Sequence, residues 1–111
     1  MNNDIEMEAE ILKLGLIAPR VDLEAINELM SGVTYHTSQP KGTTTTIVTA
    51  FDANGFSLCT EIMACASPEN FNAELGVKYG VEKCADSAKN MLWKLEGYRL
   101  KCYLSEIQDN S

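Results

Sequence analysis

The dipeptide Asn54-Gly55 constrains this chain more than any other feature. It lies between two β-prone runs, residues 43–52, rich in Thr, Val and Ile, and residues 56–66, which alternate in polarity. Asn and Gly both accept positive φ, so the pair predicts a two-residue hairpin turn. Such a turn sets the register: paired positions sum to 109, with Phe51 facing Leu58, Thr49 facing Thr60 and Ile47 facing Ile62. Period-two alternation then divides the hairpin into two faces. Phe51, Ile47, Phe56, Leu58 and Ile62 form an apolar set, which predicts the core face. Asp52, Ala50, Val48, Thr46 and Thr44, against Ser57, Cys59, Glu61, Met63 and Cys65, form a mixed set. A mixed face of this kind stands at the surface, meets a second subunit or lines a binding site.

Helical signals flank the hairpin. Over 4–14, Ile5, Ala9 and Leu12 recur at helical spacing and acids crowd the first turn, before Gly15-Leu16-Ile17-Ala18-Pro19 ends the pattern. Asp22 is placed to cap a second helix, 23–31, with Leu23, Ile26, Leu29 and Met30 on one side and Gly32 as its stop. Residues 33–37 read as a short strand and Pro40-Lys41-Gly42 as a turn. Ser67-Pro68-Glu69 predicts a helix start, and Val77, Val81, Cys84, Ala88, Met91 and Leu95 carry one apolar stripe through 68–95. Gly76 and Gly80 predict a bend or a close contact with the sheet, and Gly97 predicts a break. Residues 98–105 form a further ordered stretch and 106–111 a loose tail, strongest from Gln108. The elements describe one α+β domain over 1–111: an antiparallel β-hairpin or small sheet, packed by short N-terminal helices and one long C-terminal helix.

Charge narrows the function classes. The net charge of −7 disfavours coating a nucleic-acid polymer. No apolar run nears the ~20 residues of a membrane span, and the acidic N-terminus lacks a secretory signal, so a cytoplasmic protein is expected. The charge is uneven. Residues 1–30 hold seven acids and two bases, whereas 78–101 hold six bases (Lys78, Lys83, Lys89, Lys94, Arg99, Lys101) against three acids, a local +3. That excess fits a solvated helix face or the wall of a pocket for a small anion. Cys59, Cys65, Cys84 and Cys102 show no C-x-x-C spacing and stand far from the single histidine, His36, so no metal site is expected and the thiols read as reduced and mostly buried. No phosphate loop, catalytic triad or G-x-S-x-G is present, and neither catalysis nor a cofactor is expected.

Three stretches together resemble one family: Ala18-Pro19-Arg20-Val21 before a short helix, Gly42-Thr43-Thr44 before a strand ending at Asn54-Gly55-Phe56, and residues 67–76, Ser67-Pro68-Glu69-Asn70-Phe71-Asn72-Ala73-Glu74-Leu75-Gly76. The last is followed by Leu92-Trp93-Lys94-Leu95-Glu96-Gly97-Tyr98. This looks like a small phage and prophage protein family, over roughly residues 17–102, with the first sixteen residues outside it. Residues 80–84 depart most from its pattern. The family is associated with the Thoeris anti-defence sponges of the first type. The resemblance implies a phage protein without catalytic activity that sequesters a cyclic nucleotide immune signal: cyclised ADP-ribose, or cyclic di- or trinucleotides at a separate site. It implies a homodimer or higher homo-oligomer with recessed pockets between subunits.

The residues are compatible with that. Phe71, Trp93 and Tyr98 offer stacking surface, Arg99 a guanidinium fork for phosphate, Lys83 a point charge and Asn90 a donor and acceptor for a base or ribose edge. Phe71 and Trp93 also fit a core, and Lys83, Asn90 and Arg99 a solvated face. Two other functions fit the chain: a phage accessory protein that binds a host protein through the mixed face of its sheet, and a small hydrolase.

Overall fold

A computed structural model of the chain describes residues 2–15 and 19–109, so part of the expected 15–19 helix stop, and the end of the expected tail, lie outside the described residues. In chain order the elements are α1 (Asn2–Lys13), α2 (Leu23–Ser31), β1 (Thr34–Ser38), β2 (Thr45–Phe51), β3 (Ser57–Ala64), a 3-10 turn (Pro68–Asn70) and α3 (Ala73–Asp109). The three strands form one antiparallel sheet in the order β1-β2-β3. The architecture is α+β, with the long C-terminal helix laid across the sheet. No helix among the described residues is long and apolar enough to cross a membrane.

The hairpin turn holds three residues rather than two. The Asp52 N–H donates to the Phe56 carbonyl at 2.9 Å, closing Ala53, Asn54 and Gly55 into the loop. Only Gly55 has positive φ, at 82°, and the Asp52 carboxylate accepts from the N–H groups of Asn54 and Phe56. The closing pair Phe51↔Ser57 sums to 108, and an irregularity between Ala50 and Phe51 restores 109 from Ala50↔Cys59 to Thr45↔Ala64. The register expected for Thr49–Thr60 and Ile47–Ile62 is therefore present, and the one expected for Phe51–Leu58 is not. Leu58 is the extra residue of the bulge and turns inward beside Cys59.

The core lies on the face opposite to the one expected. Val48, Ala50 and Thr46, from the mixed set, are buried beneath α3, together with Leu58, Cys84, Ala88 and Leu92. Phe56 and Ile62, from the apolar set, remain 60% and 61% exposed. The cause is shape. Along α3, Gly76, Gly80, Cys84 and Ala88 recur every four residues and make a row of small side chains. A Cβ on Gly80 would stand 2.8 Å from Val48 Cγ2, and one on Gly76 would stand 2.5 Å from Thr46 Oγ1. Small residues on the helix meet small residues on β2, and the bulky Ile47, Phe51 and Ile62 would hold the backbones apart. Glu61 is tolerated at the rim of this face because Ser87 Oγ donates to it at 2.5 Å and Lys83 Nζ lies 3.7 Å away. The close contact expected at Gly76 and Gly80 thus exists within the chain, and it is no evidence for a second subunit.

α3 begins later and ends later than its sequence suggests. Ser67 makes no side-chain cap, Pro68–Asn70 closes only a 3-10 turn, and Phe71 is extended at ψ 129°. Asn72 is the cap, its Oδ1 accepting the Leu75 N–H at 3.1 Å. The helix then passes through Gly97 without a break and takes in the expected separate stretch 98–105 and most of the expected tail. One glycine costs about 1 kcal/mol in a helix, and Gly97 stands between runs of good helix formers, Met91-Leu92-Trp93-Lys94-Leu95-Glu96 and Arg99-Leu100-Lys101, so it does not interrupt the helix. A Cβ on Gly97 would have nothing within 4 Å, so Gly97→Ala is expected to raise stability by about 0.5–1 kcal/mol in a urea titration. At 37 residues α3 is about 55 Å long, against roughly 26 Å for the eight residues of β3, so its C-terminal half overruns the sheet. The radius of gyration is 18.2 Å, where a compact chain of this length has about 13 Å.

α2 is seated as its pattern predicts except at Leu29, which is 40% exposed. Asp22 accepts the Ala25 N–H at 2.9 Å, and Ile26 is fully buried. α1 is not. Its Ile5 and Leu12 face water, because Asp4 and Glu8, one turn apart, engage groups on the body of the fold. Cys59 and Cys84 sit with sulfurs 3.4 Å apart between β3 and α3, and burial, with Cys84 alongside, pushes the Cys59 thiol up to about 12. Cys102, in contrast, is exposed.

Candidate functional site

The most structured recess lies where the connection after β3 turns into α3. Thr44 Oγ1 donates to the Cys65 carbonyl at 2.5 Å, and Cys65 Sγ contacts the Ser67 carbonyl at 3.2 Å, which pins the connection to the sheet edge. The 3-10 turn then delivers Asn70, Phe71 and Asn72 to the mouth of a cavity of about 230 Å³. Met63, Leu75 and Gly76 contribute to its apolar lining, and Tyr79, nearly half exposed, borders it one turn along α3. Lys78 Nζ stands 5.5 Å from the centre of the Tyr79 ring, close enough for a cation–π contact. The recess therefore combines two aromatic rings, two side-chain amides and a neighbouring ammonium group. Those are the groups that hold a planar heterocycle by stacking and edge hydrogen bonds, with an anionic substituent beside it.

A second, wider cavity of about 480 Å³ opens between the segment entering α2 and the overrunning half of α3. Arg20, Asp22 and Ala25 form one wall, and Glu96, Arg99 and Tyr103 the other. Arg99 Nη2 is 2.9 Å from Glu96 Oε1 and Arg20 is paired with Glu8, so each guanidinium is already matched to a carboxylate.

The six side chains singled out by sequence do not converge within one chain. Phe71 lines the first cavity and Arg99 the second. Lys83 is paired with Glu61 on the flank of α3, and Asn90 is exposed farther along the helix. Trp93 packs against the core, with Nε1–H donating to Asp4 Oδ2 at 3.3 Å. Tyr98 is exposed on the overrun, its hydroxyl pushed up by a hydrogen bond with Cys102. The local +3 of residues 78–101 is also partly offset in space, because Glu61 and Asp4 reach Lys83 and Lys89 from other elements.

Asn70, Asn72 and Tyr79 were not singled out by sequence reasoning as ligand contacts, and Lys78 was named only among the six bases of residues 78–101. The signal available was the run Asn70-Phe71-Asn72, where two amides flank an aromatic ring immediately before a helix.

Residues 21–104 match the phage protein (N4 Gp49/phage Sf6 gene 66) family, which is most of the chain. No curated protein and no solved structure matches it.

Proposed function

The chain belongs to this phage protein family, and from that premise we propose that it is an anti-defence sponge, which binds a cyclic nucleotide immune signal in the host cytoplasm and holds it without degrading it. The observation that carries this reading is the recess of Phe71 and Tyr79 with Asn70, Asn72 and Lys78, which has stacking, edge-reading and charge in one place. At about 230 Å³ it is smaller than the roughly 300–1,000 Å³ of ordinary ligand pockets, so one chain holds one ring and the rest of a dinucleotide-sized ligand needs a second wall. We assign that wall to another copy of the chain, in a homodimer or larger assembly. The exposed area supports this: 8117 Å², against about 6,000 Å² for a compact monomer of 12.2 kDa. The difference is of the size that stable homodimers bury per chain.

A calorimetric screen of cyclised ADP-ribose with cyclic di- and trinucleotides tests the reading. One of these ligands is expected to bind, and to emerge intact when the complex is heated. Phe71→Ala is expected to weaken binding about tenfold to hundredfold, since stacking of one base contributes roughly 1–3 kcal/mol. Recovery of cleaved ligand would make the protein an enzyme.

One observation favours a second reading, a phage accessory protein that binds a host protein through its sheet: α3 covers the mixed face expected to do so, but the opposite, outer face leaves Phe56 and Ile62 in water. Stoichiometric capture of a host protein, with no nucleotide bound, selects it.

A further inference from the structure

α1 is attached to the fold by the polar edge of an amphipathic helix. Asp4 Oδ2 lies 3.3 Å from both the Trp93 indole Nε1 and the Lys89 ammonium Nζ, so one carboxylate takes an N–H donor and a cation together. One turn on, Glu8 meets the Arg20 guanidinium through both oxygens, at 2.5 and 3.3 Å. All five side chains are at least partly shielded. The Arg20 guanidinium is pushed up by that hydrogen bond to Glu8, with a smaller contribution from Asp22. Meanwhile Ile5, Met7 and Leu12 on the flanks of α1, and Leu14 just after it, stay exposed, and Ile11 alone of its large apolar side chains from Asp4 onward is half-buried. A twelve-residue helix is marginal on its own, so this one depends on its two carboxylate grips and on Ile11.

We propose that Lys89, Trp93 and Arg20 form a receptor for a diphosphate group, and that α1 is a displaceable latch whose Asp4 and Glu8 carboxylates stand in the two phosphate positions. Spacing carries the chemistry. Asp4 and Glu8 leave the helix from Cβ atoms about 5–6 Å apart, so the receptor takes two anions side by side. A single phosphate fills one position, and a diphosphate with its outer oxygens spread reaches both. The receptor also supplies the right donors: a guanidinium fork, an ammonium point charge and an indole N–H. Carboxylate grips that water and salt can reach are weak enough for a more highly charged ligand to replace them. Only the identity of the biological ligand, a nucleotide bearing a diphosphate, rests on the sponge reading; the receptor itself does not.

The probe is inorganic pyrophosphate, titrated by calorimetry at low salt into the native chain and into Asp4→Asn/Glu8→Gln. The double variant is expected to bind at least tenfold more tightly, and adding Lys89→Gln and Arg20→Gln is expected to remove that gain. Orthophosphate is expected to bind the double variant at least fivefold more weakly than pyrophosphate. A second readout uses the native chain, whose only tryptophan is Trp93. Pyrophosphate should change its emission saturably, and Lys89→Gln should abolish the change. Equal pyrophosphate affinity in the native and double-variant chains overturns the latch, as does a gain that survives loss of both cations. Equal binding of orthophosphate overturns the diphosphate assignment. Pyrophosphate carries no base to stack, so failure of the latch in this titration and failure of the nucleotide recess in the cyclic nucleotide screen are read separately.

Discussion

Val48→Asp is expected to leave the protein unfolded in water at 25 °C, while Ile62→Asp changes its stability by less than about 1 kcal/mol. Val48 is 0% exposed, beneath Gly80 and beside Cys84. The substitution forfeits about 2 kcal/mol of apolar transfer and buries a carboxylate directly across the strands from Glu61, a further cost of several kcal/mol. Domains of this size hold about 5–15 kcal/mol in all, so the loss approaches the whole. Ile62 is 61% exposed on the outer face of the edge strand β3, where a charge keeps its water. Far-UV circular dichroism with urea titration separates the two. A folded Val48→Asp beside an unfolded Ile62→Asp would reverse the assignment of the core face.

The second large effect is at Gly80. Gly80→Val is expected to destabilise the protein by about 3 kcal/mol, at the upper end of what overpacking costs. The added Cβ would stand 2.8 Å from Val48 Cγ2 and 3.4 Å from Met63 Cγ. Val48 is β-branched, fully buried and fixed in the middle strand of the sheet, so it cannot rotate away. α3 must then lift from β2, which also loosens Cys84 and Ala88. The penalty should appear as a fall in the urea midpoint. Wild-type stability in Gly80→Val would mean that the row of small residues does not set the distance between helix and sheet.

These two positions show where sequence was a sufficient guide and where it was not. The place of the turn at Asn54-Gly55, though not its length of three residues, the pairing of Ile47 with Ile62, the Asp22 cap and the buried Ile26 are local matters, decided by a few neighbouring residues, and were legible. The choice of core face was decided by α3, more than twenty residues away along the chain. Summed apolarity favoured Phe51, Phe56 and Ile62, but a helix row of Gly76, Gly80, Cys84 and Ala88 can seat only against small side chains such as Ala50, Val48 and Thr46. The bulge that turns Leu58 inward depends on how Asp52 binds the loop backbone, a geometry that residue types alone do not declare. The start of α3 moved from Ser67 to Asn72 because Phe71 is held extended, and its end moved because Gly97 is a small cost inside a long helix.

The candidate site divides in the same way. Phe71 lies in its recess because its position is local, between two asparagines before a helix. Lys83, Asn90, Trp93, Tyr98 and Arg99 were grouped by proximity along the chain, and a helix distributes such residues around its circumference. Glu61 and Asp4, which engage Lys83 and Lys89, come from β3 and α1, and no motif links them to α3.

The contact between Asp4 and Trp93 also has a place in time. The two residues are 89 positions apart, so at roughly 5–20 residues per second the indole leaves the ribosome about 4–18 s after the carboxylate. Hairpin and helix form within microseconds of becoming available, far inside that interval. Through those seconds α1 has only its Glu8 grip on Arg20, twelve residues on, and is too short to hold its own turns, while the sheet pairs and α3 grows over it. α1, made before the strands and α3, is thus fully secured only after them.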